Sequence, residues 1–516
     1  MGNFENAKVK VSEGWLQGYI DENLKVWKGI PYAAPPVGEL RFRHPQDPYT
    51  WRGVRQATQY QAGAIQPVQE QEDLVANVHG IPQLLMPSQY QEDCLYLNVW
   101  SPAKTEDAKL PVFVWIHGGG MIAGSGVECV CAGEGLAKRK DLVVVTINYR
   151  LGFYGFFAHP ELTEEGGGSS GNYAFFDMVK ACEWIKKNIA VFGGDPDNIT
   201  IAGQSGGARS TGILLASPLM KGLVRRVSIE SGVVYWGFAK PQPREVMEQK
   251  GVEFMKKIGV ESIAELRKMD AWELFDLYNE NTDYFSGFSF CIDGKLLPEN
   301  YEQWMDAGKF NDFEVMMGSC AQEFPAAPNG LSIEEYHKYL EETFPDNVEK
   351  MKEWYPAETE WQAAKMVTTI ASDIMLAGAI RIGELCHQYG RKAYVWHMNK
   401  ENEDERGHRD GCPHCAEMPY LFGRVDKGSY NPFLDYKWVD QDYRFMDVIQ
   451  GYWANYATTG NPNGEGLPEW KPYEKDFDVV TLGNEISMFP ESEFEKYRYI
   501  YDYVKVHGNP RPRRFS

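Results

Sequence analysis

The Gly-Gln-Ser-Gly-Gly motif at residues 203–207 constrains this chain more than any other stretch of its sequence. An apolar run at residues 199–202 precedes it and predicts a short buried strand, and the small residues from Ala208 onward are compatible with a helix. A sharp strand-to-helix turn of this kind exposes a serine hydroxyl above the end of a parallel sheet. Glycines are required because the strained turn leaves no room for side chains. Ser205 is therefore a candidate nucleophile.

Composition limits the classes of partner. The 516 residues carry a formal net charge of −21, which disfavours nucleic acid and anionic membrane surfaces because both would repel the chain. No run approaches about 18 consecutive apolar residues, so no membrane span is expected. Residues 1–6 lack the basic and apolar regions of a secretory signal. Nine cysteines, an odd number in a long chain, indicate mostly free thiols and a cytoplasmic protein, whose oligomeric state is unknown.

Apolar runs alternate with helical patterns along the chain. The runs at residues 111–116 and 142–147 are typical of parallel strands that are covered on both faces. A long helix with one buried stripe is expected after Asn172, which suits the N-cap position. The repeated alternation predicts an α/β fold with a mostly parallel sheet and helices on both faces. Further strands are expected at residues 227–229, 313–317 and 393–396, with large helical insertions near residues 240–310 and 330–390.

A glycine run follows the first of these strand patterns. His117 is succeeded by three glycines at residues 118–120. Backbone N–H groups in such a run can approach a carbonyl oxygen closely, and the N–H of Gly206 would complete an oxyanion hole. An ordinary glycine-rich turn is the alternative interpretation.

The residues alone leave the base and the acid open. His414 lies in a loop beyond the strand pattern that ends near residue 396, where a base is needed, and His397 and His408 are its rivals on spacing. Glu323 follows the pattern at residues 313–317, but most of the 73 carboxylates are solvated surface groups. The histidines after the candidate nucleophile are His337, His387, His397, His408, His414 and His507.

Several separate segments resemble one known family. Residues 28–33, 92–99, 148–152 and 192–196, together with the serine motif, are similar to the type-B carboxylesterase and cholinesterase family. The match extends from about residue 9 to residue 463, in the order that the family has. The resemblance implies an α/β-hydrolase fold in a single domain over residues 1–516.

The resemblance also implies roles for individual residues. Ser205, Glu323 and His414 would form a catalytic triad, and Gly119, Gly120 and Gly206 would donate to the oxyanion. Glu92 and Arg150 occupy positions that would form a structural ion pair. The implied reaction is ester hydrolysis through an acyl-enzyme on a small-molecule substrate, with no metal and no cofactor.

Departures from the family pattern bear on the substrate. Gln204 stands where the family usually has glutamate, Gly206 replaces the usual alanine, and Met121 stands where an aromatic residue is common. Residues 66–93 contain no tryptophan, so the cation site of cholinesterases has no counterpart and choline esters are not expected. Apolar or aromatic esters of small to medium size are expected instead. The candidate substrate contacts are Gln204, Met121, Trp236, Phe285 and Phe288.

Alternatives remain at three points. Cys412 and Cys415, with His408 and His414, are interpretable as zinc ligands, as a local disulfide or as free thiols. The whole chain is interpretable as a catalytically silent, cholinesterase-like binding or adhesion module, or as an amide or thioester hydrolase using the same triad. Arg209, close after the serine, would meet an acidic group of a substrate or would be an ordinary helix-packed arginine.

Overall fold

The computed structural model describes residues 4–67, 89–127, 129–232, 234–237, 240–282, 287–323, 330–403, 409–425, 436–475 and 477–510. The strands are β1 (Lys8–Val11), β2 (Gly14–Gln17), β3 (Tyr19–Asp21), β4 (Leu24–Pro31), β5 (Val54–Gln56), β6 (Gly63–Ala64), β7 (Tyr90–Gln91), β8 (Tyr96–Ser101), β9 (Leu110–Ile116), β10 (Val143–Ile147), β11 (Gly194–Gln204), β12 (Arg226–Glu230), β13 (Gln242–Pro243), β14 (Cys291–Ile292), β15 (Glu314–Cys320), β16 (Ala393–Met398), β17 (Asn402–Glu403), β18 (Arg409–Asp410), β19 (Val479–Leu482) and β20 (Ile486–Met488).

The α-helices are α1 (Glu134–Lys140), α2 (Gly152–Phe156), α3 (Pro160–Glu165), α4 (Tyr173–Asn188), α5 (Gly206–Ala216), α6 (Arg244–Ile258), α7 (Ile263–Leu266), α8 (Ala271–Asn281), α9 (Tyr301–Asp306), α10 (Ile333–Thr343), α11 (Val348–Trp354), α12 (Glu360–Gln388), α13 (Met418–Leu421), α14 (Asp440–Thr459) and α15 (Phe494–His507). Short 3₁₀ turns cover Phe4–Asn6, Gly38–Leu40, Cys129–Cys131, Ile189–Phe192, Pro218–Met220 and Glu491–Glu493.

An 11-stranded sheet organises the molecule, in the order β20-β19-β16-β15-β12-β11-β9-β10-β8-β4-β3. The strands from β10 to β19 in this order pair in parallel, while β8, β4, β3 and β20 add antiparallel edges. The expected parallel strands are therefore confirmed. Parallel strands end at the same edge of a sheet, so the loops after β9, β11, β15 and β16 meet there.

Alternating side chains of the central strands supply two separate cores. In β9, Val112, Val114 and Ile116 join one hydrophobic cluster, and Phe113 and Trp115 join the other. This alternation is the period of two that a strand imposes on its side chains. Helices α4, α5 and α12 cover the first cluster, and α1, α13 and α14 cover the second. The predicted arrangement of helices on both faces is confirmed.

Helix α12 is long and apolar enough to cross a membrane by its length and composition, with a mean hydropathy of 1.4 over its most apolar window. About two thirds of that window (67%) is buried inside the fold, where the helix packs against β15 and β16. Its apolar residues, among them Val367, Ile374 and Leu385, are core residues of the first cluster. The helix therefore has a packing role that explains its composition.

Asn172 occupies the N-cap position before α4, as expected, but a capping role for its side chain is wrong. Its backbone is left-handed with φ of 54°, and its side chain makes no cap hydrogen bond. Instead its side chain bonds the backbone N–H and C=O of Cys291 at 2.9 and 2.7 Å, which ties the start of α4 to β14. That bond reaches 119 residues along the chain, a distance over which local sequence preference carries no information.

The predicted ion pair between Glu92 and Arg150 is also wrong. Glu92 accepts from Nε and an Nη of Arg41 at 2.6 and 2.7 Å, while Arg150 pairs with the buried carboxylate of Asp177 at 2.7 Å. Both arrangements are bidentate, a geometry that matches the planar guanidinium to two carboxylate oxygens. Each residue forms an ion pair, as expected, but with a different partner.

The cysteines whose side chains the structure describes are all free. Cys94, Cys320 and Cys412 are buried, and Cys415 is partly exposed. Of the alternatives for Cys412 and Cys415, the free thiols are the ones observed. Burial raises the pKa of Cys320 well above the ordinary value, so this thiol is unreactive as a nucleophile at neutral pH.

Candidate active site

Ser205 lies in a strained turn between β11 and α5. Its φ and ψ are 57° and −119°, a region that non-glycine residues rarely occupy, and its N–H donates to the backbone oxygen of Glu230 at 2.9 Å. A Cβ at Gly203 would lie 2.5 Å from the backbone of Gly207, and one at Gly207 would lie 2.0 Å from the backbone oxygen of Ile116. These close approaches explain the glycines of the motif and confirm the predicted strand-turn-helix context.

The glycine run after β9 lies against this turn. A Cβ at Gly206 would be 2.8 Å from the backbone nitrogens of both Gly120 and Met121. Gly119 and Gly120 have positive φ of 86° and 65°, which turns the loop back on itself. Within the described chain, the N–H groups of Gly119, Gly120 and Gly206 form no hydrogen bond. Unengaged N–H groups beside a serine hydroxyl are what an oxyanion hole requires.

The imidazole of His414 contacts the carboxylate of Glu323 through Nδ1 and Oε2. Glu323 is held in place on three sides. Its Oε1 accepts from the N–H of Cys320 at 2.6 Å, its own N–H donates to Oγ of Ser372 at 2.8 Å, and its C=O accepts from the N–H of His414 at 3.2 Å. The carboxylate of Glu323 is thereby fixed against the ring of His414.

The loop after β15, which carries Glu323, is joined to the loop that carries His414. The N–H of Gln322 donates to the C=O of Cys412 at 2.9 Å, and the side chain of Gln322 accepts from the N–H of Cys412 at 2.6 Å. Gln322 and Pro413 also form an isolated parallel bridge. Because both residues flank the Glu323–His414 contact, this bonding fixes the distance between the two loops.

Gln204 contacts the other side of the imidazole. Its side-chain nitrogen lies 3.1 Å from Nε2 of His414 and 3.4 Å from Nδ1. In the neutral ring with Nδ1–H directed at Glu323, Nε2 has a lone pair that can accept from the amide. The sequence predicted Gln204 as a substrate contact, whereas the structure brings it to the histidine.

The electrostatics favour the charged form of the His414 ring. Burial opposes the charge and lowers the pKa of His414, but the neighbouring Cys415 and Glu323 more than offset it and raise that pKa well above the ordinary value. A carboxylate in contact with an imidazole stabilises imidazolium in this way. The pair is therefore suited to accept a proton.

The rival histidines lie elsewhere or outside the described residues. His397 is in β16, packed at right angles to the ring of Phe489, and burial lowers its pKa to about 3. His117 stacks on Tyr149, and burial lowers its pKa to about 4. Both rings stay neutral and enclosed. His408 lies outside the described residues.

Two buried carboxyl groups lie behind the site and were not identified from the sequence. Oε1 of Glu230 accepts from Trp453 at 2.8 Å and from Ser228 at 3.0 Å, and burial raises the pKa of Glu230 well above the ordinary value. Oε2 of Glu417 accepts from the thiol of Cys320 at 3.2 Å. Burial, together with the charge of Glu323, raises the pKa of Glu417 to about 7. The signal in the sequence that could have identified Glu417 is its position, three residues after the candidate base His414.

The residues predicted to contact the substrate lie in different environments. Met121 is buried directly after the glycine run. Trp236 packs edge-on against Tyr501, and Phe288 packs against Phe157, so both are part of the hydrophobic core. Phe285 lies outside the described residues. Core packing explains why Trp236 and Phe288 are aromatic. Contact of substrate with Met121, Trp236, Phe285 or Phe288 stays a prediction.

The zinc alternative has no support among the described residues, where no group of three or more His, Cys, Asp or Glu side chains could hold a metal ion. His414 contacts Glu323 and Gln204, and Cys412 is buried. The imidazole in this loop is therefore engaged by a carboxylate and an amide.

Known proteins match this chain over nearly its whole length. The model of the carboxylesterase family matches residues 5–499. Para-nitrobenzyl esterase of Bacillus subtilis is 31% identical over 509 residues, which cover 96% of this chain and 98% of that protein. Fumonisin B1 esterase of Sphingopyxis macrogoltabida is 31% identical over 486 residues, covering 92% of this chain and 86% of that protein. The solved structure of a thermophilic PNB esterase superposes with a TM-score of 0.78 at 29% identity, covering 96% of this chain and all (100%) of its own.

These matches confirm the resemblance deduced from the motifs. The structural neighbours are esterases, and their superposition over the whole sheet confirms the expected α/β-hydrolase fold. The relatives described above are esterases and not silent binding modules. This favours an enzyme over the binding-module alternative. The chain belongs to the carboxylesterase family and is a carboxylic ester hydrolase.

Proposed function

We propose that this ester hydrolase works through Ser205 as nucleophile, His414 as base and Glu323 as the acid that orients the base. The observation that carries the proposal is that His414 contacts both Glu323 and Gln204, the residue that precedes Ser205 in its strained turn. The exposed part of Ser205, in an otherwise buried turn, supports the same assignment. Intact nucleophile, base and acid in one chain are what acyl transfer needs.

The reaction proceeds in two halves. Nε2 of His414 takes the hydroxyl proton of Ser205 while the serine oxygen bonds to the ester carbonyl carbon, giving a tetrahedral oxyanion. When this intermediate collapses, the bond to the leaving alcohol breaks and His414 returns the proton to its oxygen. Water then attacks the acyl-enzyme with the same base, and the carboxylic acid leaves as Ser205 regains its proton. Glu323 stabilises the imidazolium that forms in each half.

The N–H groups of Gly119, Gly120 and Gly206 are the proposed donors to the oxyanion. Their support is the close approach of Gly206 to the Gly120–Met121 peptide and their lack of other partners within the described chain. Donors that are fixed before the reaction need no reorganisation when charge develops, and each contributes about 10²–10³-fold in rate.

The substrate class is a proposal of its own. Small to medium esters with apolar or aromatic groups are supported by the names of relatives such as para-nitrobenzyl esterase. Amide and thioester hydrolysis on the same residues stay predictions. The hydrolysis rates of an ester, an anilide and a thioester that share one acyl group distinguish the three activities.

The test is hydrolysis of p-nitrophenyl acetate, butyrate and octanoate by the wild type and by Ser205→Ala and His414→Ala. We expect an early burst in the wild type and loss of about 10³-fold or more in both variants. His397→Gln is the matched control, because His397 is a buried histidine away from the site, and it should keep its rate when folded. Full activity of His414→Ala would reject His414 as the base.

We also propose a reducing, cytoplasmic location. The support is that all cysteine side chains which the structure describes are free thiols. Fractionation of source cells, followed by immunodetection of the chain, tests this, and recovery from an extracytoplasmic fraction contradicts it.

A further inference from the structure

Arg209 lies one helical turn after Ser205. Its N–H donates to the backbone oxygen of Ser205 at 2.9 Å, so the two residues are joined by the first hydrogen bond of α5. Residues four apart share one face of a helix, and helical side chains lean toward the N-terminal end. The long side chain of Arg209 therefore belongs to the same side of α5 as the turn that holds the serine.

The guanidinium of Arg209 has no partner among the residues that the structure describes. Within the part of the chain that the structure describes, it forms no hydrogen bond and no ion pair. It is half-buried, and burial alone lowers the pKa of Arg209, with no carboxylate to offset the effect. Its reference pKa above about 12 keeps it a cation at neutral pH all the same.

Other buried arginines in the molecule are paired with carboxylates. The pairs are Arg41–Glu92, Arg150–Asp177 and Arg267–Glu165, with N···O distances of 2.6, 2.7 and 2.6 Å. A cation taken out of water is costly unless an anion meets it. Arg209 has no such pair in the described part of the chain, although acidic residues exceed basic ones by 21 in the full sequence.

Neighbouring groups do not supply the missing negative charge. Gln204 is a neutral amide in the position before the serine. Glu323 is paired with His414, and burial raises the pKa of Glu230 well above the ordinary value, which disfavours its charged form. Arg209 therefore brings a positive charge without a nearby counter-charge among the described residues to α5, the helix that begins after Ser205, although the whole chain is strongly acidic.

We propose that Arg209 binds a carboxylate group of the ester substrate, carried by its acyl part or its alcohol part, and so determines specificity for anionic esters. The guanidinium offers two parallel N–H donors to a carboxylate, which gives direction as well as charge. This inference rests on the proposed function, because it assigns the substrate class of the Ser205 site. It does not require Arg209 to take part in the chemical steps.

Matched ester pairs test the acyl side and the alcohol side separately. On the acyl side we compare mono-p-nitrophenyl adipate with p-nitrophenyl hexanoate, which have the same number of acyl carbons. On the alcohol side we compare 4-carboxyphenyl butyrate with phenyl butyrate. The measured quantity is the ratio of kcat/KM for the anionic ester to that for the neutral ester. A ratio divides out any loss common to both esters, such as partial misfolding.

In Arg209→Gln we expect the ratio to fall by about 10- to 100-fold for at least one pair, the range for a hydrogen bond to a charged group. Arg209→Lys keeps the positive charge but lacks the two parallel N–H donors of the guanidinium. Its ratio should lie between those of the wild type and Arg209→Gln. Arg225→Gln is the matched control, because Arg225 is exposed at the opposite end of β12 from the site. A ratio in Arg209→Gln that stays within twofold of wild type for both pairs overturns the proposal.

A binding measurement separates this proposal from the triad. Adipate is titrated calorimetrically into Ser205→Ala and into Ser205→Ala with Arg209→Lys or Arg209→Gln. We expect adipate to bind Ser205→Ala, and its Kd to rise about tenfold or more with glutamine at position 209. Equal Kd values for all three overturn the carboxylate site. If the wild type hydrolyses none of the esters, the proposed function fails, and the adipate titration still decides whether Arg209 binds a carboxylate.

Discussion

The carboxylate of Glu323, together with Cys415, raises the pH at which His414 loses its proton. His414 must be neutral to act as base, so kcat/KM rises as the pH increases through its pKa, which Glu323 helps to hold well above the ordinary value. In Glu323→Gln that charge is lost, so the pKa of His414 falls and the acid limb of the pH profile moves to lower pH. The maximal rate should also fall, by about 10²-fold or more, because the ring loses its orienting partner.

The pH profile of kcat/KM for p-nitrophenyl butyrate checks this expectation. Glu485→Gln serves as control. Glu485 is exposed in the turn between β19 and β20, so this substitution removes the same charge at a distance from His414. An acid limb at the wild-type pH in Glu323→Gln contradicts the assigned role.

Glu417 makes the stability of the fold depend on pH. Its pKa is raised by burial from the ordinary 4.5 to about 7, so the unfolded chain releases this proton at lower pH than the folded chain does. Stability is therefore lost as the pH rises from about 4.5 through about 7. Glu417→Gln cannot titrate but keeps an acceptor for the thiol of Cys320. Relative to wild type, this variant should gain about 3 kcal/mol between pH 5 and pH 8.

Urea unfolding at several pH values measures this difference. The exposed Glu485→Gln should give the same difference from wild type at pH 5 and at pH 8. A Glu417→Gln difference that is independent of pH would show that Glu417 is ionised in the folded protein.

At the scale of the elements, the junction of β9, β11 and α5 tolerates no added side chain at Gly207. A Cβ there would lie 2.0 Å from the backbone oxygen of Ile116, so Gly207→Ala must push α5 away from β9. Overpacking of this kind costs about 1–3 kcal/mol or more. Gly212→Ala is the matched control on the same helix, because its Cβ would meet the movable side chain of Val234 at 3.2 Å.

The urea midpoints and the activities of the two variants test this expectation of close packing at Gly207. We expect Gly207→Ala to lose both stability and activity, since Ser205 lies within the same junction. Gly212→Ala should stay within about 1 kcal/mol of the wild type, helped by the better helix propensity of alanine. Equal stability of both variants contradicts the close packing of this junction.

Over the whole molecule, stability comes from the two cores on either face of the sheet and not from cross-links between cysteines. The described cysteines are free, so a reducing agent has no disulfide to break among them. We expect the urea midpoint to be the same with and without dithiothreitol, and Ellman's reagent to detect at least the eight described thiols in the unfolded chain. A midpoint that falls in dithiothreitol contradicts this.

Much of the arrangement was predictable because it depends on local patterns. The apolar runs at residues 111–116 and 142–147 became parallel strands, since fully covered strands need apolar side chains on both faces. The motif at residues 203–207 predicted the strained turn of Ser205, since few residue types can form it. Family resemblance then singled out Glu323 and His414, which the residues alone left among several candidates.

The pairings over long separations were not predictable in the same way. Arg41 and Arg150 each have many carboxylates within their possible reach, and the choice of Glu92 and Asp177 depends on how the loops pack. Glu230 and Glu417 look like ordinary surface carboxylates in the sequence. Their raised pKa values arise from burial, a property that exists only once the sheet and α14 have come together.

The sequence by itself determined the parallel sheet, the turn that exposes Ser205 and the family of the chain, because apolar periodicity and glycine requirements act between near neighbours. Tertiary structure alone decided which carboxylates the buried arginines meet, that Gln204 contacts His414, and that Arg209 is left without a partner among the described residues. Those outcomes depend on charge, burial and distance among residues far apart in the chain. Coulomb interactions and desolvation are set by positions in space, which only the folded chain defines.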